Sequence, residues 1–234
     1  MKLTVLGNSG PYPSAERPCS GYVVELNNKL IILDLGSGTL MNFQKSYNIE
    51  DISFVILSHL HFDHMSDILV LRYALQVKKM KIDLYLPKQP KNISSVLACD
   101  EFNLIFINQN TSIKRDGFDI SFTRTTHPVE TYAIKVNNRF VYSADLSEPD
   151  DLDEFVYGAD TLLIDSAFLT IQKGNKKLFH LSATECAMIA SRHRIKNLLL
   201  THLPPDAKQA VYIDEAKPFF DNVSVVQVMQ KIDM

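Results

Sequence analysis

A chain of 234 residues with 46% hydrophobic and 22% charged residues has the makeup of a globular protein able to bury a sizeable core. Its 24 lysines and arginines against 27 aspartates and glutamates leave a net charge of −3, which excludes a generally cationic nucleic-acid binder. Cys19, Cys99 and Cys186 are odd in number, far apart and without C-x-x-C spacing, which excludes a disulfide frame or a structural zinc knuckle.

The N-terminal apolar run is too short for a signal peptide and no stretch reaches membrane-spanning length, so the expectation is a cytoplasmic protein with no membrane partner. Residues 3–6, 22–26 and 30–33 predict three early strands, the last two joined by Asn27-Asn28, a pair suited to a tight hairpin. Asp34-Leu35-Gly36-Ser37-Gly38 breaks the pattern, and residues 39–47 follow as a short helix. Residues 52–57, Ile-Ser-Phe-Val-Ile-Leu, read as a buried strand stopped abruptly by polar residues.

What stops it is Ser58-His59-Leu60-His61-Phe62-Asp63-His64. Packing offers no reason to gather three imidazoles and a carboxylate at a strand end, and imidazole is the commonest metal ligand. Residues two apart in extended chain point the same way, so His59 and His61 can pinch one ion. Asp63 and His64 come as the chain turns and can serve a second ion beside it.

Helical periodicity then runs through Ile68, Leu69, Leu71, Leu75 and Val77, with Ser66 or Asp67 placed to cap the start. Strands are expected at 84–86 and 104–107, with a helix at 93–98 between them. From Phe118 the texture becomes consecutive strands: 118–122, 132–136 and, after Asn137-Asn138, 140–142. Helix 151–157, strand 161–165, helix 182–193, strand 197–201, helix 206–219 and strand 223–228 complete the chain. Ser182-Ala183-Thr184-Glu185 is a capping-box pattern. No repeat or flexible linker interrupts this order, so a single domain over 1–234 is expected, built from two mixed sheets with helices outside.

Three further polar residues recur at or just beyond the ends of apolar β-runs: His127, Asp145 and His202. Strand ends are where sites assemble in layered α/β folds. With the central motif they supply five imidazoles and two carboxylates, enough for two ions.

The order His59-x-His61-x-Asp63-His64, His127, Asp145, His202, with Asp34-Leu35-Gly36-Ser37-Gly38-Thr39 ahead of it, resembles the metallo-β-lactamase superfamily over nearly the whole chain. That resemblance implies a four-layer αββα sandwich with a dinuclear site at one edge of the sheets. By position, His59, His61 and His127 would bind one ion, Asp63, His64 and His202 the other, and Asp145 would bridge them. Asp34 would position a ligand loop, or act simply as a turn cap. The opening Leu6-Gly7-Asn8-Ser9-Gly10-Pro11 and the run Phe179-His180-Leu181-Ser182 resemble the RNase Z-like phosphodiesterase branch, which implies that His180 assists phosphodiester cleavage. Between His127 and Asp145 there is no room for the long arm that RNase Z uses to grip tRNA. Met65-Ser66-Asp67 replaces the small residues that usually follow the central histidine, and could narrow or charge the pocket rim. The bridging Asp145 argues against a true β-lactamase.

Oxygen and nitrogen donors without thiolate suit two divalent ions, zinc first, with manganese or iron acceptable. The expected function is therefore a metal-dependent hydrolase of a small phosphodiester, such as a cyclic nucleotide. Asp63 and His180 are its acid–base candidates; short RNA is a lesser alternative substrate. Hydrolysis of an ester, lactone or thioester is the alternative within the fold, and a non-catalytic metal-binding protein the alternative outside it. Lys173-Gly174-Asn175-Lys176-Lys177 is either a solvated charged loop or an attractor for phosphate. The excess apolar surface of the helix carrying Leu71, Tyr73, Ala74, Leu75 and Val77, together with the resemblance, implies a homodimer.

Overall fold

The computed structural model describes residues 1–174 and 176–234. Strands β1 (Lys2–Gly7), β2 (Gly21–Leu26) and β3 (Lys29–Leu35) form an antiparallel meander. Asn27 and Asn28 turn its hairpin with φ of 50° and 62°, the left-handed geometry that matches strand twist. Helix α1 (Thr39–Phe43), β4 (Ile52–Ile56), α2 (Phe62–Met65), α3 (Ile68–Lys78), β5 (Ile82–Leu86), α4 (Lys91–Ser94) and β6 (Phe102–Phe106) follow. Next come β7 (Ser112–Arg115), β8 (Phe118–Thr125), β9 (Thr131–Val136) and β10 (Phe140–Tyr142), paired antiparallel in succession from β7 to β10. The chain closes with β11 (Thr161–Asp165), α5 (Thr170–Lys173), α6 (Ala183–Arg192), β12 (Asn197–Thr201), α7 (Gln209–Ala216), β13 (Val223–Val225) and β14 (Lys231–Asp233).

Two seven-stranded sheets result, ordered β14-β1-β2-β3-β4-β5-β6 and β13-β12-β11-β10-β9-β8-β7. Each is antiparallel over one half and parallel over the other, which makes both mixed. Alternate side chains of the two sheets meet in one apolar layer around Tyr22, Phe54, Phe118, Phe140 and Tyr142. The outer face of the first sheet packs on Leu40 and Phe43 of α1 and on Ile68, Leu71 and Leu75 of α3. The outer face of the second packs on Ala183, Cys186 and Ala190 of α6 and Tyr212 of α7. Full burial of a Leu or Phe side chain is worth about 1.5–3 kcal/mol, so these three layers supply most of the driving force. This is the expected αββα sandwich.

Several boundaries differ from the sequence expectation. Residues 151–157 form no α-helix: a 3-10 turn (Pro149–Leu152) gives way to irregular turns ending at Gly158. The aspartates there serve other partners, Asp151 accepting from the Thr126 N–H at 2.6 Å and Asp153 from Arg192 and His193. Helix 206–219 shortens to α7 and strand 223–228 to β13, while residues 93–98 divide between α4 and a 3-10 turn. Strands β7 and β14 and helix α5 were not anticipated. The hairpin joining β7 to β8 turns on Asp116-Gly117, both at positive φ. Asp67 does not cap α3 with its side chain; its carboxylate instead accepts the Leu40 N–H at 2.9 Å, tying α3 to α1. Among the described residues no helix is long and apolar enough to cross a membrane.

This topology fixes where polar strand ends meet. Strands β10, β11 and β12 are mutually parallel, and β8 runs with them because two antiparallel steps separate it from β10. Their carboxyl ends therefore open on one edge of the sandwich. The parallel pair β3 and β4 delivers Asp34 and the central histidine motif from the facing sheet.

Candidate metal centre

All seven expected ligand residues converge at that edge. His59, His61, His127 and Asp145 offer donor atoms within 4.8 Å of one another; Asp63, His64 and His202 form a second group on the same criterion. Asp145 touches both. Its Oδ2 lies 3.6 Å from His59 Nε2, 3.8 Å from His127 Nε2 and 3.6 Å from His202 Nε2, and its Oδ1 lies 3.3 Å from His64 Nε2.

Asp34 organises the motif from behind. It is fully buried, and its carboxylate accepts four hydrogen bonds: Ser58 N–H and Ser58 Oγ at 2.7 Å each, His64 Nδ1 at 2.8 Å and Tyr142 Oη at 2.8 Å. Since Ser58 Oγ donates to Asp34, it accepts from His59 Nδ1 at 3.0 Å. Both imidazoles thus carry hydrogen on Nδ1 and aim Nε2 at the centre. Those atoms, His59 Nε2 and His64 Nε2, are buried without a hydrogen-bond partner. A buried polar atom left unpaired costs about 1–3 kcal/mol, and once both rings are neutral a cation is the partner these two nitrogens fit.

The other donors agree. His127 Nδ1 donates to the carbonyl of Phe179 at 3.3 Å, leaving Nε2 facing His61 Nδ1 at 3.1 Å. Two nitrogens bound tetrahedrally to zinc at 2.0–2.1 Å stand about 3.3 Å apart, close to that separation. His202 Nε2 approaches Asp63 Oδ2 at 3.2 Å in the second group. Oxygen and imidazole donors, closed on one side by protein, fit a divalent cation.

The electrostatics point the same way. Burial lowers the pKa of His59 and His61, and lowers that of His127 to about 4, so all three rings are neutral at pH 7. Burial also opposes charge on His64, but Asp145, Asp63 and Asp34 overcome it and raise its pKa to about 10. His202 rises for the same reason, facing Asp145, Asp165 and Asp63. Burial works against the Asp145 carboxylate, yet His202, His64 and His59 hold its pKa well below the usual range. Protons on His64 and His202 occupy the place a cation takes.

His180 stands beside this cluster. Its Nδ1 donates to Asp165 Oδ2 at 2.7 Å and lies 3.9 Å from Asp145 Oδ2, and its side chain is 21% exposed. Burial is outweighed by Asp165 and Asp145, so its pKa is raised. It is therefore not a free loop histidine. Asp165 was missed in the sequence, although it ends β11 as Asp145 follows β10. Its other oxygen, Oδ1, is 3.4 Å from His202 Nδ1, so one carboxylate faces both rings.

One expectation fails here, and the lysine stretch divides. Met65 is 1% exposed in the core and Asp67 is bound to α1, so Met65-Ser66-Asp67 does not form the rim. Lys173 is engaged with Glu185, its Nζ 2.7 Å from Oε2, at the capping box that opens α6; Lys176 and Lys177 are exposed and Asn175 lies outside the described residues. His193 caps the end of α6 and bonds Asp153 at 2.8 Å, away from the cluster.

The loops are tightly built. Asp34, Ala144 and His202 adopt φ of 58°, 53° and 57°, a region costing non-glycine residues of order 1–3 kcal/mol each and concentrated at functional sites. A Cβ on Gly10 would lie 2.1 Å from His202 Nε2, and one on Gly36 would lie 1.9 Å from the Asp63 carbonyl oxygen. Glycine lets both backbones press directly on the site.

Fold and site together define a metal-binding hydrolase of the metallo-β-lactamase class. The family model described as a beta-lactamase superfamily domain matches residues 31–203, and the chain belongs to that family. It is 30% identical over 235 residues to the probable metallo-hydrolase YhfI of Bacillus subtilis, covering 94% of each chain. The crystal structure of that protein superimposes with a TM-score of 0.94 over 99% of this chain and 98% of its own. Ribonuclease Z of Archaeoglobus fulgidus is 22% identical over 304 aligned positions, spanning 100% of this chain and 98% of the relative, which therefore carries insertions this chain lacks. Human tRNase Z, short form, shares the fold with a TM-score of 0.78 at 19% identity, covering 100% and 99% of the two chains.

Proposed function

We propose that this protein is a phosphodiesterase that holds two divalent cations and cleaves a small diester, a cyclic nucleotide or another nucleotide-derived diester. Zinc is the first choice of metal, with manganese or iron as the others. The observation that carries the reading is the position of Asp145 between two ligand groups, with His180 beside it on a carboxylate of its own. His59, His61 and His127 would hold one cation, Asp63, His64 and His202 the second, and Asp145 both.

Such a pair supplies Lewis-acid charge and lowers the pKa of water to about 7. The chain's residues do the rest. Asp63 is the most solvent-reached ligand carboxylate, its side chain 10% exposed against 3% for Asp145, and is placed to accept the proton of the attacking water. Water oxygen forms the new P–O bond as the bond to the leaving oxygen breaks. His180, protonated because Asp165 and Asp145 favour its charge, gives its Nε2 proton to that oxygen. Asp165 keeps the ring turned for this by accepting from Nδ1.

Phosphorus is favoured over a carbonyl centre by the imidazole acid His180 beside the pair and by the ribonuclease Z named among the relatives. The short β9–β10 hairpin occupies the stretch where an arm for long RNA would emerge, which favours a small substrate. A cytoplasmic setting suits the three free thiols. The test is metal analysis of the purified protein followed by turnover of bis(p-nitrophenyl) phosphate, cyclic nucleotides and short RNA against thioester and lactone substrates. Faster turnover of lactones or thioesters would reject phosphorus. Metal binding without any turnover would leave a binding protein.

A further inference from the structure

Two phenylalanines stand out on the surface because each adjoins a metal-site histidine. Phe62 is 66% exposed although it lies between His61 and Asp63, at the first residue of α2. Phe179 is 59% exposed immediately before His180. Its carbonyl receives the His127 Nδ1 hydrogen, and its ring meets the His127 ring edge-on, centroids 6.4 Å apart at 80°. The rings of His61 and His127 are themselves 4.9 Å apart. Phe179 thus lies against His127, whose ring meets that of His61, and Phe62 directly follows His61 in the chain.

Scattered exposed apolar residues are ordinary. These two differ in that their backbones are fixed by the site, Phe179 through its bond to His127 and Phe62 through the turn that presents His61 and Asp63. Neither ring contributes to any of the three core layers. A phenyl ring held in water beside a polar cluster is a platform for a flat apolar surface, and its quadrupole favours stacked or edge-on aromatic partners.

We propose that Phe179 and Phe62 form an aromatic slot that stacks the nucleobase of the substrate and so determines specificity. This rests on the phosphodiesterase reading and deepens it. The phosphate sits at the carboxylate–histidine cluster, and the base lies against Phe179. Because His180 is the next residue in the chain, stacking there brings the nucleoside's leaving oxygen to the proton donor. The slot selects for a base of any identity, since every base has a π-face, and against diesters of aliphatic alcohols.

The test uses the metal-loaded protein and two readouts. Binding of 5′-AMP is compared with ribose 5-phosphate by calorimetry, and turnover of 2′,3′-cyclic AMP with that of the abasic cyclic ribose phosphate. Stacking on one aromatic is expected to favour the base-bearing partner about 5- to 150-fold. Phe179→Ala should abolish most of that preference, chiefly through KM. It should leave metal content unchanged and lower turnover of the abasic diester far less than that of 2′,3′-cyclic AMP, and Phe179→Trp should restore the preference. Phe62→Leu should reduce it partly. Equal binding of the two monophosphates by the wild type, or a preference that survives Phe179→Ala, overturns the slot while leaving the phosphodiesterase reading intact. Absence of turnover on every diester, with thioester or lactone cleavage instead, overturns that reading and the slot with it.

Discussion

Replacing Asp34 by asparagine alters the centre without touching a ligand. The carboxylate accepts four hydrogen bonds from Ser58, His64 and Tyr142 at 2.7–2.8 Å. An amide of the same shape has one oxygen and an NH₂. If the oxygen keeps the Ser58 N–H, the NH₂ faces Ser58 Oγ, His64 Nδ1 and Tyr142 Oη. An amide donating to His64 Nδ1 moves the imidazole hydrogen to Nε2, the atom that must be bare to bind a cation. Loss of such a supporting contact weakens metal binding about 10- to 100-fold, equivalent to about 1.4–2.7 kcal/mol. The buried donors left over lower fold stability by about 1–3 kcal/mol. Zinc affinity by chelator competition, thermal unfolding, and ¹⁵N shifts that report the His64 tautomer should all move together. Excess zinc should recover part of the activity. An Asp34→Asn protein whose zinc affinity stays within a factor of two of wild type refutes the argument.

Three other outcomes follow from the same geometry. His180→Ala should retain full metal content and lose about 10²–10⁴-fold in kcat on a phosphodiester with a poor leaving group; unchanged turnover removes His180 from the chemistry. In the metal-free protein the pKa of His64 is raised to about 10, so its charge stabilises the fold fully below its unfolded value near 6.5, and that stabilisation disappears as pH rises through 10. His202 is raised likewise, so metal loading at pH 7 should expel about two protons and metal affinity should climb with pH, as read by calorimetry in buffers of different ionisation enthalpy; no proton release at pH 7 contradicts this. Helix α3 leaves Val70, Tyr73 and Val77 exposed on one face, with Val70 lining a surface hollow beside Met41 of α1. We propose that a second copy covers this face, and light scattering should give twice 26.5 kDa; a monomeric mass at micromolar concentration rejects the dimer.

Local pattern made the centre of this protein legible in its sequence. His59 to His64 announce themselves because metal chemistry constrains both residue type and spacing over a few residues. His127, Asp145 and His202 are distant in sequence, but each follows an apolar strand, so their context carried the signal. Asp165 had that context too, at the end of Thr161-Leu162-Leu163-Ile164. Its role depends on reaching His180 and His202 across the edge, which no local pattern reports. Asp34 was legible as an acidic residue before glycines, whereas its four acceptor bonds arise only when β4 sets Ser58 and His64, and β10 sets Tyr142, against the end of β3. On α3, Leu71 and Leu75 share helical periodicity with the exposed Tyr73 and Val77 but are consumed by the core, a division that periodicity does not report. Residues 151–157 looked helical by composition, but their aspartates are drawn to Thr126, Arg192 and His193, and tertiary partners overrode propensity.

Everything proposed for the chemistry depends on one pair of cations flanking a single carboxylate. Anomalous diffraction at the zinc edge, from crystals of the protein purified with zinc, observes that pair directly. Two peaks about 3.5–4 Å apart on either side of Asp145 are expected, one among His59, His61 and His127 and one among Asp63, His64 and His202. No peak at this edge of the sandwich, or a single peak away from Asp145, would contradict the account.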